Sequence, residues 1–147
     1  MNYQGLHDPH MIPEPILVAS GTTYLIPAYI AYMNGYTYTA SSLVAITFTT
    51  MTFHATRQEW LFSLDLLAIL NYLACLYHNS TYAKTDTRYL AGISVAYSLN
   101  SYFIGRVYKN MSFDPDWNKQ MLFHSLMHVL TAYGATGLLL DRIHYHT

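Results

Sequence analysis

Charge is what this chain has least of. Charged residues make up 10% of its 147 residues, against 52% hydrophobic. That is too little charge to clothe an ordinary soluble domain. The formal net charge of −1 leaves no basic surface of the kind that grips nucleic acid. A single cysteine, Cys75, excludes an internal disulfide framework. No basic stretch precedes the first apolar run, so a cleaved signal peptide is not expected. There is no internal repeat and no low-complexity tract. Mean hydropathy is only +0.14, modest for a membrane protein, and the cause is visible. Fifteen tyrosines and many Thr, Ser and Asn residues are mixed into the apolar runs. Polar residues in such runs suggest helices packed around a polar interior, because lipid-facing positions reject most of them. Tyrosine also favours the two membrane interfaces.

What the sequence does contain is five apolar stretches, at about 16–33, 37–56, 61–78, 89–107 and 120–140. Each is near the ~20 residues that cross a bilayer as a helix. Residues 1–15 carry Pro9, Pro13 and Pro15 and read as an extended leader. The fold expected is all-α: an integral, multi-pass membrane bundle of about five transmembrane helices, a single domain over 16–147. The location expected is an endomembrane if the source is eukaryotic. A soluble bundle is the plainer alternative, but the charges are too few to cover five amphipathic helices. An odd number of spans places the two ends of the chain on opposite sides. Arg57, Arg106, Lys109 and Lys119 then lie on the N-terminal side against Lys84, Arg88 and Arg142 on the other, a balance that does not decide orientation.

His54, Asp65, His124 and His128 lie within these stretches, whereas His78 and Arg106 stand at the ends of theirs. Groups of this kind at membrane depth are expensive and usually functional. His54 is near the end of the second stretch. Asp65 is one turn into the third, and His124 and His128 are one and two turns into the fifth. With five alternating spans, all four fall roughly 3–12 Å from the same membrane boundary, at a rise of 1.5 Å per residue. His124 and His128 are spaced i, i+4, on one helical face, and can share a metal. Thr50 and His54 have the same spacing. Three neutral imidazoles leave a fourth tetrahedral position open, as in a catalytic rather than a structural zinc site. Asp65 could accept a proton there, or orient a water. Taken singly, an i, i+4 histidine pair is often accidental, and a lone intramembrane aspartate is more often a partner for helix–helix hydrogen bonding than a base. Agreement in depth among all four favours the zinc site.

The remaining candidates have structural readings. His7, His10, His78, His144 and His146 lie away from the cluster and read as interfacial or solvated, and Cys75 reads as packing. Ser94, Ser98, Ser101 and Gly105 form a small-residue face on the fourth stretch that allows close helix approach. Gly134 and Gly137 read the same way on the fifth.

At Thr50 to Thr56, Leu64 to Leu66 and His124 to Thr131 the chain resembles the alkaline ceramidases. These belong to a superfamily of seven-span hydrolases that includes the adiponectin receptors. The family pattern is a serine, three residues and a histidine, then an aspartate in the next span, then His-x-x-x-His in the last. The resemblance implies zinc held by His54, His124 and His128, with Asp65 and Thr50 holding or activating the attacking water. It implies hydrolysis of a lipid amide, a ceramide-like membrane lipid, as part of sphingolipid metabolism. Thr50 stands where the family has serine, five spans stand where it has seven, and residues 1–33 hold no clear match to its acidic calcium-binding segment. Two rival functions remain at this level. One is a b-type haem electron carrier with His54 opposite His124 or His128. The other is a non-catalytic membrane protein with structural zinc.

Overall fold

The computed structural model describes residues 14–146, and they form five consecutive helices joined by short turns. Helix α1 runs Pro15–Met33. Proline suits the first helical position, where its missing N–H would have no intrahelical partner in any case. A second proline, Pro27, withdraws the donor owed to the Thr23 carbonyl and crowds the preceding turn. The helix tightens there into a 3-10 turn over Thr22–Tyr24, and the Thr22 and Thr23 hydroxyls donate back to the carbonyls of Ala19 and Ser20 at 2.6 Å each.

Helix α2, Thr37–Thr56, ends at Arg57, whose left-handed conformation (φ 57°) stops it. Helix α3 is Glu59–Ser80. Helix α4 covers 85–108 and contains a π-helical turn at Asn100–Ile104. After a 3-10 turn at Met111–Phe113, helix α5 runs Trp117–His146.

Threonine is admitted to these apolar helices because its hydroxyl can bond a carbonyl one turn back. Thr47, Thr52, Thr56 and Thr136 donate to the carbonyls of Leu43, Phe48, Thr52 and Ala132 at 2.7–2.9 Å. No water is then needed to satisfy them.

Helix α1 lies between α2 and α5. Helix α3 packs on α2 and touches α5, and α4 lies along α5. The core joins Ala28 and Ala31 of α1, Leu43 and Ile46 of α2, Tyr72 and Leu76 of α3, and Leu138 and Leu139 of α5. Small residues bring α4 and α5 together. A Cβ added at Gly134 would stand 2.8 Å from Ser94 Oγ and 3.1 Å from Ala91 Cα, and one at Gly137 would stand 3.1 Å from the Thr87 methyl. The expected packing role of Ser94, Gly134 and Gly137 is met by these contacts. At the end of the bundle away from His54, the Arg142 guanidinium is flanked by the rings of Tyr36 and Tyr82 at 4.3 and 4.8 Å. It donates to buried Asn79 at 2.7 Å.

Polar side chains are buried beside the apolar core, and large apolar ones are exposed. Thr47, Thr50, His54, Asp65, Asn79, Ser94, Ser101, His128 and Thr131 are buried. Meanwhile Ile26, Phe48, Leu67, Ile93, Val107 and Leu122, drawn from all five helices, are each more than half exposed. Among the described residues two helices, α1 and α3, are long and apolar enough to cross a membrane by length and composition. The other three carry more hydroxyl or charged groups: threonines throughout α2, Asp86, Arg88 and Arg106 in α4, and Lys119, Asp141 and Arg142 in α5.

Boundaries differ from expectation at several points, the run of α5 on to His146 rather than 140 among them. Helix α4 begins at Thr85, because its first turn is too polar to read as part of an apolar run. Helix α5 begins at Trp117 for the same reason. Glu14, assigned to an extended leader, is buried against the bundle; residues 1–13 of that leader, His7 and His10 among them, lie outside the described residues.

Candidate metal centre

Three imidazoles, one from α2 and two from α5, converge at one end of the bundle. The nearest ligand atoms of His54, His124 and His128 all lie within 4.8 Å of one another. Ring centroids are 4.9 Å apart for His54 and His124, 5.2 Å for His124 and His128, and 5.7 Å for His54 and His128. His54 and His128 are buried and His124 is half-buried. Helix α5 supplies two ligands from one face through the i, i+4 spacing. Helix α2 supplies the third from its last turn, two residues before it ends.

The surroundings fix which ring nitrogen faces the cluster. His54 Nδ1 lies 2.8 Å from Glu14 Oε2. A carboxylate can only accept, so Nδ1 carries the proton and Nε2 is left as a lone-pair donor. Arg57 Nη1 donates to the same carboxylate oxygen at 2.6 Å, and the backbone N–H of Glu14 donates to the His54 carbonyl at 3.1 Å. His128 Nδ1 lies 2.8 Å from Ser20 Oγ. That hydroxyl gives its one proton to the Leu17 carbonyl at 3.1 Å, so it accepts from the imidazole. Both rings therefore present Nε2 inward. Second partners of this kind are what orient metal-binding histidines in general.

Asp65 is buried one helix away and is not one of the three converging groups. Thr49 and Thr50 of α2 both donate to its Oδ1, at 2.9 and 2.8 Å. Oδ2 takes no hydrogen bond from the described residues. Thr50 is thus hydrogen-bonded to the carboxylate itself and sits one turn from His54, linking Asp65 to the cluster. One turn beyond His128, Thr131 ties three helices together. Tyr24 of α1 bonds its hydroxyl at 2.7 Å, and Tyr72 of α3 bonds its carbonyl at 2.7 Å.

The donor set fits a divalent metal of zinc type. Neutral imidazoles are suited to zinc, copper, iron and nickel, and the Nδ1 partners of His54 and His128 leave Nε2 of each as a possible ligand.

All five candidate residues read from the sequence lie in this region: the three histidines meet, and Thr50 joins Asp65. Three contributors were not foreseen. Glu14 was hidden by the prolines around it, although an acidic residue directly before a helix-initiating proline is a usable signal. Ser20 and Thr49 looked like ordinary small polar residues. At the opposite end, His78 packs edge-on against Tyr82 at 5.6 Å, His146 lies 5.4 Å from the same ring, and His144 Nδ1 lies 2.8 Å from the Leu140 carbonyl.

No family model, no curated protein and no solved structure matches this chain.

Proposed function

We propose that this chain is a zinc-dependent lipid amidohydrolase of ceramidase type, built as a five-helix membrane bundle. It would release a fatty acid from a ceramide-like lipid. The observation that carries the reading is the convergence of His54, His124 and His128 beside an aspartate that two threonines hold by one oxygen. Large apolar side chains exposed on every helix support a lipid setting, since acyl chains would cover such a surface.

His54, His124 and His128 would hold the metal. Zinc, when bound, supplies a Lewis acid for the amide carbonyl and acidifies water. Glu14 and Ser20 keep the imidazole protons on Nδ1. Thr49 and Thr50 occupy Asp65 Oδ1 and so direct Oδ2 to the reacting atoms. Asp65 takes the proton of the attacking water as the carbon–oxygen bond forms. It then delivers that proton to the amide nitrogen as the carbon–nitrogen bond breaks. The products are a fatty acid and a free amine, here a sphingoid base. Exclusion of bulk water by the surrounding apolar helices strengthens each of these electrostatic contacts.

The ring arrangement argues against a b-type haem. Three imidazoles in mutual contact leave no slot for a macrocycle between two of them, and haem ligation gives Asp65 and its threonines no role. The test is metal analysis of the protein purified in detergent without chelators, coupled to an assay of fatty-acid release from short- and long-chain ceramides. One equivalent of zinc with ceramide cleavage is the expected result. Full zinc with no cleavage across a broad panel of lipid amides and esters identifies a structural site instead.

A further inference from the structure

We infer that Glu14, clamped by Arg57, is a positioning residue for His54: it holds the Nδ1 proton in place and so keeps Nε2 free for the metal. The inference rests on the metal reading above and extends it to a residue outside the family-like motifs. It begins with a contradiction. Glu14 precedes the first membrane-length helix, where a carboxylate would be expected to face water, yet it is 7% exposed. Burial of an acidic group without partners is strongly unfavourable, and this one has two partners on a single oxygen. Arg57 Nη1 approaches Oε2 at 2.6 Å with its side chain largely buried, and His54 Nδ1 approaches at 2.8 Å.

Backbone geometry holds the clamp in register. Arg57 sits in the left-handed conformation that terminates α2, three residues after His54. Its guanidinium lies 5.2 Å over the Phe53 ring. The Glu14 N–H closes the arrangement by donating to the His54 carbonyl. The carboxylate is therefore tied to the backbone and to the ring of the same histidine. Arg57 balances its charge, so Glu14 has no need to take the imidazole proton for itself.

Free imidazole favours the proton on Nε2. Without an acceptor at Nδ1, His54 would revert to that form and place a proton on the atom that must bind metal. A carboxylate in this position acts like the outer-shell partners whose loss lowers metal affinity by about 10–100-fold.

The experiment uses the full chain in detergent and two readouts. The first is cobalt(II) and zinc affinity by competition with a chelator, for the wild type, Glu14→Ala, Glu14→Gln and His54→Ala. The second is the tautomer of His54 in metal-free protein, read from ring nitrogen chemical shifts. Glu14→Ala should bind metal about 10–100-fold more weakly and show the Nε2–H form. Glu14→Gln keeps the volume and a neutral acceptor, so its loss should be smaller than that of Glu14→Ala; it also carries the test if the alanine variant does not fold. Wild-type affinity in Glu14→Gln and Glu14→Ala, or an unchanged Nδ1–H tautomer in Glu14→Ala, overturns the inference. Wild-type protein that binds no metal, or binds it as well without His54, overturns the metal reading instead. The metal-free tautomer measurement still judges the Glu14–His54 contact in that case.

Discussion

At the scale of single residues, the proposed function separates groups that would bind metal from groups that would move protons. Asp65→Asn keeps the shape and most hydrogen-bonding capacity of the side chain but cannot take a proton. It should lower hydrolysis by about 10²–10⁴-fold while zinc content stays at the wild-type level. An Asp65→Asn variant as active as wild type would sink the proposed proton transfer even if the reaction class held. His124→Ala should instead remove most of the metal, which elemental analysis reads directly. Thr50→Ser retains the donor to Asp65 Oδ1 and should be tolerated. Thr50→Val is similar in volume, but it removes that donor and should be worse than serine; equal activity of the two would show that the 2.8 Å bond is dispensable. These residues could be found in the sequence because spacing and depth act on few positions. Glu14 and Ser20 could not, because their role depends on how α1 lies across α2 and α5, and no local pattern encodes that.

At the scale of elements, the five helices were legible from apolar runs alone, and their bounds were not. Runs of Leu, Ile, Val and Tyr mark where helices are buried or lipid-facing. A helix continues into polar sequence wherever its backbone can, as Trp117 to Gln120 of α5 and Thr85 to Arg88 of α4 do. The tightening of α1 before Pro27 has a local cause. The π turn in α4 has no signature in its sequence that we recognise. Close approach of α4 and α5 rests on Gly134. Gly134→Val should push the pair apart and cost about 1–3 kcal/mol, seen as a lower midpoint of thermal unfolding in detergent; an unchanged midpoint would mean the helices can separate freely.

The far end of α5 also secures the start of α4. Asp141 Oδ2 accepts from the Lys84 N–H at 2.9 Å. Hydrogen bonding from the Thr87 side chain, and then from that backbone group, holds the Asp141 carboxyl below its ordinary value. A carboxyl depressed by folding contributes above its unfolded pKa, and the contribution fades as pH falls through the lower folded value. The Lys84 amide resonance should therefore titrate below the usual aspartate range near pH 3.9 and should stay flat over that range in Asp141→Asn. A wild-type Lys84 amide that does not move with acid would remove the cap.

For the whole molecule, the proposed five-helix membrane arrangement makes a prediction about sides. The turns holding Gln58 and Asn110 should face one compartment, and those holding Asn34 and Thr81 the other. All four positions are exposed, whereas the native Cys75 is buried. Single cysteines placed at each in a Cys75→Ala background should react with an impermeant reagent in two sets of two. Labelling of all four from one side would show that the bundle does not cross the membrane as proposed. On the same proposal the outward Leu, Ile and Phe side chains would need a lipid or detergent shell, so dilution below the detergent's micellar concentration should precipitate the protein.

Order of synthesis gives the Glu14 and Ser20 contacts another meaning. Both precede His124 and His128 in chain order and so leave a ribosome earlier. Ser20 pairs with His128 across 108 positions of sequence, and His54 gains the other two imidazoles only when α5 arrives. On the metal reading, a chain that stops short of α5 could not assemble the ligand set, and a nascent chain would stay metal-free until α5 had packed. Loading would then report that α2 and α5 had both been made and brought together.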